Sequence, residues 1–218
     1  MSSVAVIDYG MGNLHSIAKA LQHAVPAATV ICTSDRDAIL NADRIVFPGV
    51  GAIRDCMNAL NQAGLSEVVQ KAARLKPFLG ICLGMQALLT ESEENGGTAG
   101  LGVFSGRVVR FPDHLQDADG NTLKIPHMGW NQVHQTPHPL WHNIPQNSRF
   151  YFVHSYYAQP EDASVVAATA DYPEAFACAI AEDNVFAVQF HPEKSQAAGL
   201  QLLKNFLNWD GQVLVAND

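Results

Sequence analysis

The chain has 218 residues, 48% of them hydrophobic, which is enough to bury the core of one large domain or of two small ones. No flexible linker divides it, so we expect a single domain over residues 1–218. The formal net charge of −8 and the lack of a basic run argue against nucleic acid as a partner. No apolar stretch is long enough to cross a membrane, and the first ten residues lack the features of a signal peptide. We therefore expect a cytoplasmic protein with no membrane partner.

The first half of the chain alternates short apolar runs with segments of helical periodicity. We predict strands over Val4–Ile7, Thr29–Ile31, Arg44–Phe47 and Pro77–Ile81, and helices over Asn13–Ala24, Ala52–Ala63, Leu65–Leu75 and Gly84–Leu89. This repeating order is typical of a doubly wound fold, in which right-handed crossovers build a parallel sheet. The expected fold class is therefore α/β, with a mostly parallel sheet and flanking helices.

Two glycine-bearing loops follow strands in this half. The loop Asp8–Asn13 lacks the third glycine of a dinucleotide-binding fingerprint, so we interpret it as a tight turn. Pro48 is expected to stop the third strand, and Gly49-Val50-Gly51 leads into the next helix. Two glycines around one small apolar residue let backbone N–H groups approach a ligand, as an oxyanion hole requires. An ordinary loop is the alternative.

Cys82 is the residue around which the chain is organised. It follows a buried strand and precedes a helix, with Gly80 two residues before it and Gly84 two residues after it. Gly-x-Cys-x-Gly is the cysteine form of the nucleophile elbow, a tight turn that lifts the nucleophile above the edge of the sheet. There the positive end of the helix favours the thiolate. We predict that Cys82 is a nucleophile, with a buried structural cysteine as the alternative.

The other cysteines have no spacing that suggests a disulfide framework or a metal site. No CxxC motif is present among Cys32, Cys56, Cys82 and Cys178. We therefore expect reduced thiols, three of them structural.

The second half of the chain is rich in short β-like runs. We predict strands over Val103–Phe111, Leu123–Ile125, Asn131–Val133, Phe150–Tyr157, Val165–Ala168, Phe176–Ile180 and Val185–Phe190. Glu182–Asn184 is expected to form a hairpin turn between the last two, and Ala197–Trp209 a closing helix. We expect these strands to extend the same sheet and its edge.

Four histidines in this half, His127, His134, His138 and His142, raise the question of a metal site. Their surroundings are rich in proline, and no carboxylate or cysteine joins them at the spacing of metal ligands. We interpret them as surface loop residues and predict no metal site.

His191 ends the last predicted strand, where loops of an open α/β sheet carry chemistry. Glu193 is two residues further on and can hold one ring nitrogen of His191 while the other nitrogen faces Cys82. A cysteine nucleophile needs such a base and a group to orient it. A strand-ending turn explains His-Pro-Glu alone, but together with the elbow a Cys82–His191–Glu193 triad is the better explanation.

Six stretches carry a resemblance to a known family. In chain order they are Asp8–Asn13, Phe47–Gly51, Gly80–Gln86, Pro126–Asn131, His154–Tyr156 and His191–Lys194. Through them the chain resembles the class I (triad) glutamine amidotransferases over nearly its whole length. The triad motifs specify that class, and the first and fourth stretches are similar to the members that serve histidine biosynthesis.

The resemblance implies a glutaminase that converts L-glutamine to glutamate and ammonia through the Cys82–His191–Glu193 triad. It implies an oxyanion hole formed by backbone amides at Val50, Gly51 and Leu83. It places glutamine near Gly49, Gln86, Glu94, Ser155 and Tyr156. No metal or organic cofactor is implied.

The resemblance also implies a partner, a (β/α)8-barrel cyclase subunit that receives ammonia through a tunnel. A free glutaminase would waste glutamine, so we expect the chain to be nearly silent alone. Gly49-Val50-Gly51 is flexible enough for a peptide to turn its amide towards or away from the oxyanion site. We expect the oxyanion hole to be completed when the partner docks, through a shift in population.

The docking face is expected to surround the mouth of the active site. Its candidates are Asn13, Met128, Trp130 and Lys194, because aromatic and methionine side chains are enriched in interfaces. The alternative is that Trp130 belongs to the core and that Lys194 is merely solvated.

Three other functions stay open at this point. One is a glutaminase for another synthase, such as pyridoxal phosphate synthase, which the first and fourth stretches disfavour. Another is a cysteine hydrolase that acts without a partner. The third is a non-catalytic interaction module that kept the fold. The intact triad argues against this third function.

Overall fold

The computed structural model describes residues 2–117 and 119–212. Its strands are β1 (Ser3–Ile7), β2 (Thr29–Thr33), β3 (Arg44–Gly49), β4 (Phe78–Cys82), β5 (Leu89–Ser92), β6 (Thr98–Ala99), β7 (Phe104–Arg110), β8 (His127–Gln132), β9 (His134–Gln135), β10 (Arg149–His154), β11 (Tyr156–Pro160), β12 (Val166–Asp171), β13 (Ala175–Glu182) and β14 (Val185–Val188). Its helices are α1 (Leu14–Ala24), α2 (Arg36–Asn41), α3 (Ile53–Ala63), α4 (Ser66–Leu75), α5 (Leu83–Ala87) and α6 (Gln196–Asn208).

A mixed sheet of twelve strands organises the fold. Its main path runs in the order β2-β1-β3-β4-β14-β13-β11-β7-β5-β6, with β12 and β9 joined beside β13. The strands from β2 to β14 pair in parallel, whereas β14, β13, β11 and β7 pair antiparallel. Strands β8 and β10 form a separate two-stranded antiparallel sheet. The expected α/β class is confirmed, and the expected extension of the sheet holds for all the later strands except β8 and β10.

Strand β4 lies between β3 and β14 inside the parallel half, and all five of its residues are buried. Phe78 packs into a core beneath α3 and α4, and Leu79 packs into a second core beneath α1 and α6. Neither side chain has exposed surface. Burial of each contributes about 1.5–3 kcal/mol, so the strand that carries Cys82 is firmly held from both faces.

Two boundaries near the predicted site differ from expectation. The prediction that Pro48 stops β3 is wrong, because Pro48 and Gly49 still pair with Ile81 and Cys82. On the other side, β1 pairs with β3 only as far as Val46, so the missing N–H of proline is tolerated. Helix α5 is also shorter than predicted, since it ends at Ala87 and β5 begins two residues later.

Two predictions in the second half are wrong. Leu123–Ile125 forms no strand: it pairs with no strand among the residues that the structure describes, and Leu123 donates its N–H to the carbonyl of Leu115 in a local loop. The run Phe150–Tyr157 is divided at Ser155, where the chain leaves the two-stranded sheet and enters the large one. The hairpin at Glu182–Asn184 is confirmed. Among the residues that the structure describes, no helix has the length and apolar character of a membrane span.

Candidate active site

Four neighbouring parallel strands bring their carboxyl ends to one edge of the sheet. Tyr9 follows β1, Gly49 ends β3, Cys82 ends β4 and His191 follows β14. Parallel strands always place these ends on the same edge, which is why open α/β sheets carry their sites there. Residues that are more than a hundred positions apart in the sequence thus meet around Cys82.

The turn at Cys82 has the geometry of a nucleophile elbow. Cys82 has φ 55° and ψ −111°, a conformation rare for a residue with a side chain. Helix α5 begins at the next residue and packs so closely on β3 that a Cβ on Gly84 would overlap the carbonyl oxygen of Phe47. Glycine at position 84 is therefore required by this close approach.

His191 and Glu193 form a buried pair. His191 Nδ1 lies 2.9 Å from Glu193 Oε1, and the exposed fractions of the two side chains are 3% and 0%. The other ring nitrogen, Nε2, and Glu193 Oε2 are also buried, and neither has a hydrogen-bond partner within the part of the chain that the structure describes. Nε2 is thus left available to a reacting group, while Nδ1 is held in place.

The electrostatics of this pair favour a protonated imidazole. Burial alone would lower the pKa of His191, but its interactions with Cys82 and Glu193 outweigh that effect and raise the pKa to about 9. At neutral pH the ring is therefore an imidazolium, with a proton on each nitrogen. An imidazolium beside a cysteine favours the thiolate, which is the reactive form of sulfur.

The loop that carries His191 is tied to β10 and to α6. The N–H of His191 donates to the carbonyl of Tyr151, and the N–H of Tyr151 donates to the hydroxyl of Ser195. That hydroxyl in turn donates to the carbonyl of His191 at 2.6 Å. Ser195, which is only 1% exposed, closes this ring of hydrogen bonds and fixes the backbone of the pair.

A pocket of about 300 Å³ opens above Cys82. Its lining includes seven residues that the sequence had suggested for the oxyanion hole or for glutamine: Val50, Gly51, Leu83, Gln86, Glu94, Ser155 and Tyr156. Gly49 lies beside it, since it pairs with Cys82 in the sheet. The structure therefore brings the suggested residues together with Cys82 and His191.

The similarity of this chain to known proteins identifies its family. Residues 5–209 match the sequence profile described as glutamine amidotransferase class-I. This chain belongs to the class I glutamine amidotransferases. A protein from Methylococcus capsulatus named imidazole glycerol phosphate synthase subunit HisH is 69% identical over 96% of this chain and 98% of its own length. The protein of the same name from Acinetobacter baylyi is 58% identical over 96% of this chain and 100% of its own.

Solved structures agree on the fold of this amidotransferase. A crystal structure of a glutamine amidotransferase covers 94% of this chain and 97% of its own, with a TM-score of 0.69 and 18% identity. The match to the structure of PurLQS from Thermotoga maritima covers 95% of this chain and 98% of that chain, with a TM-score of 0.63 and 18% identity. At such identity these matches bear on the fold alone.

Two pocket residues of the amidotransferase already make contacts within the protein. Gln86 Nε2 donates to the carbonyl of Tyr156 at 3.0 Å and to Gln189 Oε1 at 2.9 Å. Its amide protons are thus used, which leaves Oε1 as an acceptor for a ligand. Glu94 Oε2 accepts the N–H of Ile53 at the start of α3, and no hydrogen bond to Glu94 Oε1 is found among the described residues.

Three of the four suggested docking residues, Met128, Trp130 and Lys194, are exposed near this site. Met128 and Trp130 lie on the same side of β8 and are 61% and 44% exposed, so the alternative that Trp130 is a core residue is wrong. The ring of Trp130 meets Tyr151 edge-on, and Lys194 Nζ lies 5.7 Å from the centre of the Tyr151 ring. Asn13 is half-buried in the loop after β1.

The histidines of the second half differ from expectation. The prediction that they are surface loop residues is wrong for His127, which is 4% exposed in β8, and His138 is half-buried. Burial lowers the pKa of each to about 4. His127 Nδ1 lies 2.9 Å from His154 Nε2, and His154 Nδ1 donates to the carbonyl of Tyr156 at 2.8 Å. Within the described residues, no group of three or more potential ligands could hold a metal.

Sequence reasoning missed Gln189, Ser195 and the pairing of His127 with His154. Gln189 lies in an alternating apolar run, and its burial depends on strands far away in the sequence. A polar residue inside such a run was the one available signal, because a buried amide must find partners.

Proposed function

We propose that this chain is the glutaminase subunit of imidazole glycerol phosphate synthase, acting in histidine biosynthesis. The observation that carries the proposal is the buried His191–Glu193 pair, whose free ring nitrogen shares a pocket with Cys82. The names of the highly similar relatives support the particular synthase. Four free cysteines fit a reducing compartment, and we place the protein in the cytoplasm.

The reaction begins when Cys82 Sγ attacks the side-chain amide carbon of L-glutamine. The proton of the thiol rests on His191, whose raised pKa suits it to hold that proton and then to give it to the departing nitrogen. Ammonia leaves as the C–N bond breaks, and a thioester between glutamate and Cys82 remains. Neutral His191 then takes a proton from water, which attacks the thioester and releases glutamate and the thiolate.

The negative oxygen of each tetrahedral intermediate needs hydrogen-bond donors. We assign this role to backbone amides at Val50, Gly51 and Leu83, all of which line the pocket. Leu83 is the first residue of α5, where N–H groups have no partner inside the helix. Loss of one such donor typically costs about 2.7–4 kcal/mol of transition-state stabilisation.

The rest of the pocket recognises glutamine. Glu94 Oε1 and Gln86 Oε1 are acceptors suited to the α-ammonium group, and backbone N–H groups at Ser155 and Tyr156 suit the α-carboxylate. Gly49 contributes by its close packing, since a Cβ there would lie 2.7 Å from the hydroxyl of Tyr9 and 2.9 Å from Cβ of Leu83. These residues bind and orient the substrate rather than transfer protons.

The partner is a (β/α)8-barrel cyclase subunit that consumes the ammonia. At neutral pH, ammonia released into water becomes ammonium, which has no lone pair for attack, so direct transfer between subunits is required. The exposed cluster formed by Met128, Trp130 and Lys194 supports docking beside the pocket.

Glutamate release tests this proposal. It is measured with the chain alone, with the cyclase subunit added, and with the cyclase and its nucleotide ligand. We expect strong stimulation in the last case and incorporation of the amide nitrogen into the imidazole product. Rapid release that the cyclase does not affect would indicate a hydrolase acting alone, and no release under any condition would indicate a non-catalytic module.

A further inference from the structure

Gln189 lies under the nucleophile, outside the triad and outside the lining of the pocket. Its side chain has no exposed surface. Gln189 Nε2 donates to Cys82 Sγ at 3.7 Å, and Gln189 Oε1 accepts from Gln86 Nε2 at 2.9 Å. Its backbone is held as well, because its N–H donates to the carbonyl of Cys178 at 2.8 Å.

The direction of these hydrogen bonds is fixed by one backbone carbonyl. The carbonyl oxygen of Tyr156 can only accept, so the Gln86 atom that faces it must be the NH₂ group. The same NH₂ group faces Gln189, which must therefore present its oxygen. The remaining NH₂ group of Gln189 then points at the sulfur of Cys82.

We infer that Gln189 is a further catalytic residue, which donates an N–H to the Cys82 sulfur and links it to the glutamine-binding residue Gln86. This inference rests on the proposed function and deepens it. An N–H that faces a sulfur anion is a charge-assisted hydrogen bond, stronger than the same bond to a neutral thiol. It stabilises the thiolate before the attack and again when the thioester is cleaved.

A purely structural role does not account for both contacts. A buried amide needs partners for its polar atoms, and strand backbones could have supplied them. Instead the side-chain partners of Gln189 are the reacting sulfur and a pocket residue. Gln86 in turn contacts Tyr156, so one chain of hydrogen bonds joins substrate recognition to the nucleophile.

The ionisable groups near Cys82 must be considered in any pH experiment. His191 approaches from the loop after β14 and Tyr9 from the loop after β1, while Glu94, His154 and Tyr156 line the same pocket. Gln189 itself does not titrate, so its replacement removes a donor without adding or removing a charge.

The first test compares Gln189→Met with wild type. Methionine keeps the length of the side chain but neither donates nor accepts strongly. The rate of alkylation of Cys82 by iodoacetamide is followed by mass spectrometry of the Cys82 peptide, in the full chain without glutamine. At pH 7 we expect the rate to fall about tenfold, a typical effect for the loss of a hydrogen bond to a charged group. At pH 10, where thiols ionise without help, we expect the rates to converge.

The matched control is Gln70→Met in α4. Gln70 also donates from a partly buried amide, to the carbonyl of Leu101, but it has no contact with the pocket. We expect its alkylation profile to match wild type. Equal rates at pH 7 for folded Gln189→Met and wild type would overturn the inference. A deficit that persists at pH 10 would also overturn it, because that pattern reports access to the sulfur rather than ionisation.

A second measurement does not depend on the folding of a Gln189 variant. The side-chain N–H signals of Gln189 are observed by NMR in ¹⁵N-labelled wild type and in Cys82→Ala. We expect the N–H that faces the sulfur to move upfield when the sulfur is removed, and an unchanged signal would overturn the inference. Neither experiment uses glutamine, so failure of the proposed glutaminase function would be recognised separately, by the absence of glutamate release from the wild-type complex.

Discussion

Glu193 Oε1 lies 2.9 Å from His191 Nδ1, and water reaches neither side chain to any extent. The carboxylate therefore acts on the imidazole without the screening that it would meet at the surface. The contact fixes the ring orientation and, together with Cys82, keeps the pKa of His191 near 9. Replacing the carboxylate with an amide tests the two effects together.

Glu193→Gln should lower the rate of glutamine hydrolysis while the fold persists. The amide keeps the size and one acceptor oxygen, but it loses the charge that stabilises the imidazolium, and it can hold the ring in the wrong tautomer. We expect kcat to fall by about tenfold or more, and we expect the pH profile of kcat to shift to lower pH. Glu174→Gln, at an exposed position, is the control. Wild-type rates with an unchanged pH profile would mean that another group orients His191.

The same variant should reveal how the pair stabilises the fold. The pKa of His191 is raised in the folded state, so the pair's contribution is fully present below the ordinary histidine pKa of 6.5 and is lost as the pH rises to about 9. Denaturant unfolding should therefore show a larger difference between wild type and Glu193→Gln at pH 6 than at pH 9.5. Between pH 6 and pH 9.5, we expect the difference in the free energy of unfolding between the two proteins to decrease by about 2 kcal/mol, in line with a hydrogen bond between charged groups. A difference that does not change with pH would contradict this account.

Cys82→Ala should abolish glutaminase activity. A glutamine-like electrophile should label Cys82 in the wild type and leave the other three thiols largely unmodified, although Cys32 is exposed. In the complex, synthesis supported by added ammonia should survive in Cys82→Ala, because the cyclase supplies that chemistry. Cys32→Ala is the matched control and should keep full activity. Substantial glutamine turnover in Cys82→Ala would rule out the covalent route, and loss of ammonia-dependent synthesis would point to misfolding.

The parts of the site that local sequence patterns specify could be predicted. The elbow depends on glycines within two residues of Cys82, and the His191–Glu193 contact spans two residues, so both are visible in short stretches. The convergence of these stretches followed from the alternation of strands and helices, since parallel strands share one edge for their carboxyl ends. The glycine pattern marked the turn, although the contact that requires glycine at position 84 is made with Phe47 on the neighbouring strand β3.

The parts that depend on distant pairing could not be predicted. Whether an apolar run becomes a strand depends on a neighbour, and Leu123–Ile125 has none among the residues that the structure describes. His127 is buried because β8 pairs with β10, a pairing that its proline-rich surroundings do not indicate. Gln189 finds its partners on α5 and at the end of β4, a hundred residues away. Propensity gives no information on such contacts.

Trp130→Ala should leave the lone chain folded and weaken its response to the cyclase. The side chain of Trp130 is 44% exposed, so its removal creates little cavity. We expect the unfolding midpoint to stay close to wild type and binding of the cyclase to weaken about tenfold or more, as for a tryptophan hot spot. Trp141→Ala is the contrast, since Trp141 is 7% exposed and packs in the core, and should lose about 3–5 kcal/mol. Full cyclase binding by Trp130→Ala would remove Trp130 from the docking face.

We expect the oxyanion hole to be controlled by rotation of a peptide in the loop Gly49-Val50-Gly51. Gly49 pairs with Cys82 in the sheet, and the hydroxyl of Tyr9 donates to the carbonyl of Pro48 at 2.9 Å, so the first part of the loop is held. Val50 is 39% exposed and Gly51 has φ +94°, which confines the expected peptide rotation to Val50 and Gly51. Glycine adopts positive and negative φ about equally well, whereas a positive φ is unfavourable for alanine.

We therefore expect glutaminase turnover to rise about 10- to 100-fold when the cyclase and its nucleotide ligand are added to the lone subunit, the usual range of coupling between two sites. Gly51→Ala should change the basal rate and the stimulated rate by different factors, because it biases the rotation itself. Gly102→Ala, also at positive φ but in open space after β6, should change neither. Stopped assays of glutamate release measure all four proteins, the wild type, the two variants and Cys82→Ala as the blank. Equal turnover in the lone wild-type subunit and in the liganded complex would contradict the gating mechanism, since a complete oxyanion hole in the resting state leaves the partner nothing to switch.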